Sequence, residues 1–363
     1  MRQVSARFPR ARPRPRPRAW ASPIGGRSNT GSAGSRRARS GSSNRDQGSL
    51  AIFDAATGAV LGAVAEVGAG AHDICLSERA GKAFITAETA NAVAAVDLET
   101  LAVDVIPVGP LPHHCEPSHD GRTIYVSLAS HTPAVGAPLL AEVDADDFTV
   151  EYIPTSANPA ARTHAPRPSP DGDTIYVAHD VGNQVTGVDV ESGDIAFNVA
   201  PPIPRAEEVI ATRFGDWLWV SSRGDGTVKR IDLESGAITG VVAVGVEPES
   251  VMLAPSERTL AVSLRGWPAT LALVDTARLS LLASVPIAPT APCGDVTNAP
   301  SFGDLAVMSR DGRHVFATFD RGAGCEGGVS VIDVRTRQVV ATWPYPGKGR
   351  PHGIWYTRRK PRF

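Results

Sequence analysis

Six stretches of this 363-residue chain repeat one pattern with a period of roughly 45 residues, and that repeat limits the possible folds more than any other feature. The stretches are 69–109, 110–156, 157–202, 203–245, 246–290 and 291–347. Each holds four short β-rich runs, a to d. Run a closes on a turn, often xDG. Run b carries an IYV-like core, run c ends in Val-Asp or Ile-Asp, and run d follows an ExG-type turn and often ends in Val-Gly. Asp and Gly suit such turns because they tolerate the required φ values. Four strands in about 45 residues make one propeller blade. Residues 49–68 supply runs c and d only, and PHGIWYT (351–357) supplies a run a. Joined, they form a seventh blade that closes the ring and removes edge strands. Its strand b is not apparent, and RRKPRF (358–363) is a poor candidate because Pro361 interrupts a ladder. The expected fold is an all-β, seven-bladed propeller over residues 49–357, with short tails on either side.

The segments SHDGRTIYVS (118–127), SPDGDTIYVA (169–178), VDLETLAVDVIPVG (96–109) and VSVIDVRT (329–336) resemble the YVTN-type propeller repeat family, also called lactonase-like or YncE-like. The resemblance covers about residues 49–357. It implies the seven-bladed fold and says little of function, since such a family includes binding proteins, surface-layer proteins and enzyme-like relatives. Related folds occur in nitrous oxide reductase and cytochrome cd1 nitrite reductase. This chain has no CxxCH, so a covalent haem is not expected.

The net charge of −2 averages two unlike parts. Residues 1–48 hold twelve Arg and one acid, Asp46, and read as a disordered tail rich in Arg, Pro and Ser, or as the product of a misassigned start. The remainder is acidic, which argues against nucleic acid as a partner of the propeller. No apolar run is long enough to span a bilayer, so no membrane partner is expected, and oligomeric state is not legible. No secretory signal is visible, which places the protein in the cytoplasm by default and outside it if the start is misassigned. Walker A and GxSxG motifs are absent and GxG-like stretches fall in turns, so no nucleotide cofactor is expected.

In a propeller, strand a lines the central channel. Aligned on the residue closing run a, the position five earlier is His72, His113, His164, Glu207, Glu249, Asp304 and His352. All seven blades thus place His, Glu or Asp at one level. Imidazole suits Zn, Cu and Fe, and carboxylates serve as ligands or orient them. The expected metal ligands are His72, His113, His164 and His352, with Glu207, Glu249 and Asp304 as acid, base or orienting groups. The ends of run b add Glu88, His131, His179, Asp180, Arg223, Arg265 and Asp320. Of these, Arg223, Arg265 and His179, with His114 beside the ring, are candidate substrate contacts, since Arg offers a bidentate fork to carboxylate or phosphate. Simple Arg–carboxylate pairing across the rim is the plainer reading. Glu116 and Glu208 also flank the ring.

Four Cys occur, at 75, 115, 293 and 325, with no CxxC pair. Cys293 and Cys325 lie on two insertions, 289–303 and 320–328, and could pair to pin a lid if the protein is exported, or be buried free thiols on two unrelated loops. The longer connection 130–138 faces the same side. Three functional readings follow: a metal-dependent enzyme acting on a small molecule in the funnel, a non-catalytic binding propeller, and, from the resemblance, a metal-free lactonase-like hydrolase or lyase using a His/Glu acid–base pair.

Overall fold

The structure is a computed structural model that describes residues 38–64, 66–129, 139–199, 202–266, 268–288, 303–321, 326–347 and 349–357. The described residues form seven four-stranded antiparallel sheets and no helix. Each of the six repeats folds as one sheet, with run a innermost and run d outermost. We number the blades 1 to 6 in chain order and call the closing blade 7. Their inner strands are Ala71–Ser77, Pro112–Pro117, Arg162–Pro168, Ala206–Ala211, Pro248–Leu253, Gly303–Met308 and Pro351–Thr357.

Blade 7 differs from expectation in one respect. Its strand b is Arg39–Asn44, paired on one side with Pro351–Thr357 and on the other with Ser49–Asp54. The sequence RSGSSN reads as linker because it is small and polar, yet Ser40, Ser42, Ser43 and Asn44 are buried. The propeller therefore begins about ten residues before the expected boundary, and three strands of blade 7 precede blade 1 in the chain. Gly41 belongs to the same strand. A Cβ there would fall 2.1 Å from the Trp355 indole, so a larger residue would displace that ring.

The Asp that ends run c is a turn cap. In all seven blades its Oδ1 accepts backbone N–H groups two or three residues on, at Asp54, Asp97, Asp144, Asp189, Asp232, Asp275 and Asp333. Blades pack face to face through the apolar residues of runs b and c. Blades 1 and 2, for example, share Phe84, Val93, Ile124, Val126 and Ala141. Burying each large aliphatic or aromatic side chain contributes about 1.5–3 kcal/mol.

Every inner strand carries a bulge at one level. Two inner-strand residues there oppose a single residue of strand b: 72–73, 113–114, 164–165, 207–208, 249–250, 304–305 and 352–353. A bulge re-aims side chains and bends the strand. The first residue of each pair is the His, Glu or Asp picked out in the sequence.

Candidate metal centre

The residue opposite each bulge is Thr86, Ser127, Ala178, Ser221, Ser263, Thr318 or Ser43. Six of the seven are hydroxyls, and five tie their blade to the next. Each of those five accepts the N–H of the second bulge residue in its own blade and donates to the carbonyl of the first bulge residue in the following blade. The donated bonds are Ser43 to His72 at 2.7 Å, Thr86 to His113 at 2.7 Å, Ser221 to Glu249 at 2.6 Å, Ser263 to Asp304 at 2.5 Å and Thr318 to His352 at 2.8 Å. Ala178 offers no hydroxyl. At that seam the His164 ring itself donates from Nδ1 to the Glu207 carbonyl, at 2.8 Å. These hydroxyls were missed in the sequence reading, although a Ser or Thr recurs near the end of run b. Thr318→Val keeps the shape but orphans the Leu305 N–H and the His352 carbonyl. Its expected cost is about 2 kcal/mol in urea unfolding.

The clips hold a tight group of imidazoles. Ring centroids lie 4.0 Å apart for His72 and His113, 4.6 Å for His113 and His164, 4.6 Å for His113 and His114, and 4.7 Å for His114 and His164. In each of four rings Nδ1 meets an oxygen that can only accept: the His113 carbonyl for His72 (3.1 Å), Glu88 for His113 (2.5 Å), Asp73 for His114 (3.1 Å) and the Glu207 carbonyl for His164 (2.8 Å). Nδ1 therefore carries a proton in each, and Nε2 faces the group, where the His164 Nε2 also lies 2.8 Å from Glu207 Oε2. The Nε2 atoms of His113 and His164 stand 3.1 Å apart. Ligand atoms of His72, His113 and His114 lie within 4.8 Å of one another, and so do those of His114, His164 and Glu249.

His114 thus stands inside the imidazole group. From the sequence it is expected beside the ring, as a substrate contact, and a regular strand would send it to the face opposite His113. The bulge sends both His113 and His114 inward. His352 is different. It stacks on His72 at 3.8 Å and approaches Asp304 at 3.4 Å, but belongs to neither ligand cluster.

Charges around the group are divided. Burial, followed by repulsion from neighbouring imidazoles, holds His72 and His113 well below the usual histidine range. Burial also takes His352 down to about 3. His114 resists the same burial because Asp73 hydrogen-bonds it and Glu208 and Glu249 lie near, and it is pushed up to about 9. Its Nε2 is nevertheless buried with no hydrogen-bond partner. Burial raises Glu208 to about 7, and burial with the Glu207 charge raises Glu249. Glu207 is desolvated too, but His164, Arg223 and Arg205 bring it down to about 2.

The arginines form a second tier. Arg223 Nη1 lies 3.3 Å from Glu207 and 3.2 Å from Glu249, and its Nη2 lies 3.2 Å from Glu247. Arg265 reaches Asp304 at 2.8 Å and Glu249 at 3.7 Å. Arg–carboxylate pairing across the rim is what the structure shows. Asp180 pairs with Arg162. Arg45, expected in the tail, instead binds Glu88 at 2.5 Å, and the other oxygen of Glu88 holds His113.

His179 was expected as a substrate contact. It is fully buried, with Nε2 3.0 Å from the Thr186 hydroxyl of its own blade. Burial lowers it from 6.5 to about 4. Below pH 6.5 the unfolded chain therefore takes up a proton that the folded protein refuses until about pH 4. Stability falls on acidification through that window, by about 3 kcal/mol for this group, and the group contributes no slope above it. Thermal midpoints measured from pH 7 to 4 are expected to fall less steeply in His179→Gln.

A disulfide, Cys75–Cys115, joins the inner strands of blades 1 and 2, a pairing the sequence does not suggest. The proposed Cys293–Cys325 bridge, His131, and most of the insertions at 289–303, 320–328 and 130–138 lie outside the described residues. At the ends of the inner strands away from the bulges, a cavity of about 620 Å³ is lined by Glu78, Arg79, Glu116, His119, Arg167 and Arg310, among others. Each arginine there pairs with an acid: Arg79 with Asp146, Arg167 with Glu116 and Arg310 with Glu78.

Fold and site define a seven-bladed β-propeller whose inner strands carry His and carboxylate side chains at one level, drawn together into a His/carboxylate cup. No protein-family model and no curated protein matches the chain. Solved structures do. The periplasmic gluconolactonase PpgL of Pseudomonas aeruginosa superposes with a TM-score of 0.65 at 17% identity, over 88% of this chain and 99% of that one. Kuenenia stuttgartiensis hydrazine synthase gives 0.64 at 18% identity, over 80% and 90%. The dihydro-heme d1 dehydrogenase NirN gives 0.59 at 16%, over 87% and 74%. At these identities the likeness is one of fold.

Proposed function

We propose that the cup binds a transition metal ion, Zn, Cu or Fe, and that the protein is an enzyme acting on a small molecule admitted through the funnel. One observation carries this reading: four imidazoles are anchored through Nδ1, their ligand atoms form two triads that share His114, and the Nε2 atoms of His113 and His164 stand 3.1 Å apart. A metal ion between His113 and His164 would take the place of the proton through which the His164 Nε2 meets Glu207 Oε2 at 2.8 Å. His113, His114 and His164 are the ligands we assign first, with His72 and Glu249 completing the set. Glu88 and Asp73 orient His113 and His114, as carboxylates behind metal-bound imidazoles do. The carboxylates near His114 already stabilise one positive charge there, which a metal ion would supply in place of the proton.

A metal so held would polarise a substrate oxygen or activate water. Without a metal, Glu249, raised, and Glu207, lowered, form a polarised acid–base pair. An anionic substrate would have to compete for Arg223 and Arg265 with Glu207, Glu249 and Asp304. Tag-free protein reconstituted with Zn(II), Cu(II) and Fe(II) in turn is expected to retain one equivalent of at least one metal. Failure to retain any would overturn the metal reading. The same acid–base pair then supports the second reading, a metal-free hydrolase or lyase of the kind suggested by the fold likeness to a gluconolactonase.

A further inference from the structure

The two inner strands that contribute most to the imidazole group belong to different sheets. No backbone ladder joins Ala71–Ser77, which carries His72 and Asp73, to Pro112–Pro117, which carries His113 and His114. Their spacing rests on a few side-chain bonds and one covalent link. Cys75 lies two residues after Asp73, and Cys115 directly follows His114. Their Cα atoms are 5.7 Å apart. The Cys115 N–H donates to Asp73 Oδ2 at 3.1 Å, the same oxygen that holds His114 Nδ1 at 3.1 Å. The disulfide thus closes a short loop through Asp73, His114 and Cys115. Among the described residues no other blade seam has such a link.

We infer that the Cys75–Cys115 disulfide positions the imidazole group, fixing the strand of His72 and Asp73 against the strand of His113 and His114, and that the site reaches full metal affinity only with the disulfide formed. This inference rests on the metal reading for its consequence but not for its geometry. The bond forms by exchange: a Cys75 or Cys115 thiolate attacks the disulfide of a partner oxidant, and the second thiolate displaces that partner. Two thiols lose two protons and two electrons, and the partner leaves as a dithiol. Both sulfur-bearing residues are buried, so the finished bond is shielded from thiols in solution. The protein would accordingly mature in an oxidising compartment.

The test compares the full-length wild type with Cys75→Ser/Cys115→Ser. Hydrogen exchange of the metal-free proteins, read by mass spectrometry, is expected to quicken about tenfold in peptides covering 71–77 and 112–117, with 248–253 unchanged. Zn(II) affinity by competition titration is expected to fall at least tenfold. Unchanged exchange at 71–77 and 112–117 would overturn the inference, as would an equal rise in all blades, which marks general destabilisation. If neither protein binds Zn(II), Cu(II) or Fe(II), the metal reading fails while local exchange still decides the positioning role. Should the double variant fail to fold, wild type reduced by a phosphine, which is itself oxidised as the two thiols form, serves in its place with the same outcomes.

Discussion

Replacing His113 and His164 together with alanine is expected to abolish stoichiometric metal binding and any activity that depends on it, with the propeller still folded. The Nε2 atoms of the two rings stand 3.1 Å apart. Losing a group that merely orients a ligand typically costs 10–100-fold in metal affinity, so losing two ligands is expected to cost well over 100-fold. Folding should survive because each blade pair keeps its apolar interface, whereas the lost side-chain bonds are worth about 1 kcal/mol each. His164 needs a separate control, because its Nδ1 also carries the bond to the Glu207 carbonyl. His164→Asn can keep a donor near the Nδ1 position while removing Nε2. It is expected to retain the thermal midpoint of wild type and lose metal. Equal metal content in His113→Ala/His164→Ala and wild type, by elemental analysis of tag-free protein, would remove these residues from the site.

The second large effect concerns the ring's closure. A chain beginning at Ser49 lacks Arg39–Asn44, the strand that lies between Pro351–Thr357 and Ser49–Asp54. Both neighbours lose a ladder. Ser43, whose hydroxyl donates to the His72 carbonyl and accepts from Gly353, is lost as well. The ends of the chain can then no longer join into one blade, leaving two open edges that invite association. Such a chain is expected to be largely insoluble, or to melt more than 10 °C below the full chain, as measured by circular dichroism and size-exclusion chromatography. A soluble monomer with an unshifted midpoint would show that blade 7 does not need this strand.

Much of the architecture was legible in the chain because each blade repeats the same few physical requirements. Run c ends in Asp because a carboxylate must cap the following turn, and run a begins at a bulge that turns one polar residue into the channel. Legibility ended where residues depart from those rules. RSGSSN has the composition of a linker, and only its pairing on both sides and its buried hydroxyls mark it as a strand. His114 follows His113 directly, and strand alternation sends it away from the channel unless the bulge is known. Cys75 and Cys115 lie in different repeats, at positions one residue out of step, so a search for pairs within a repeat passes over them. Arg45 was read with the basic tail, although it sits only four residues before the recognised start of the propeller and reaches Glu88.

Ala178 has a consequence for how this protein can vary. Five seams are tied by a hydroxyl that has no part in the cup, so those ties and the cup can change independently. Between blades 3 and 4 the tie is His164, and a single imidazole serves both assembly and chemistry. Ala178→Ser would supply a separate tie and relieve His164 of the first duty. The alanine therefore marks a seam at which drift in the site is coupled to the integrity of the ring, as the His72 bond to the His113 carbonyl couples them between blades 1 and 2.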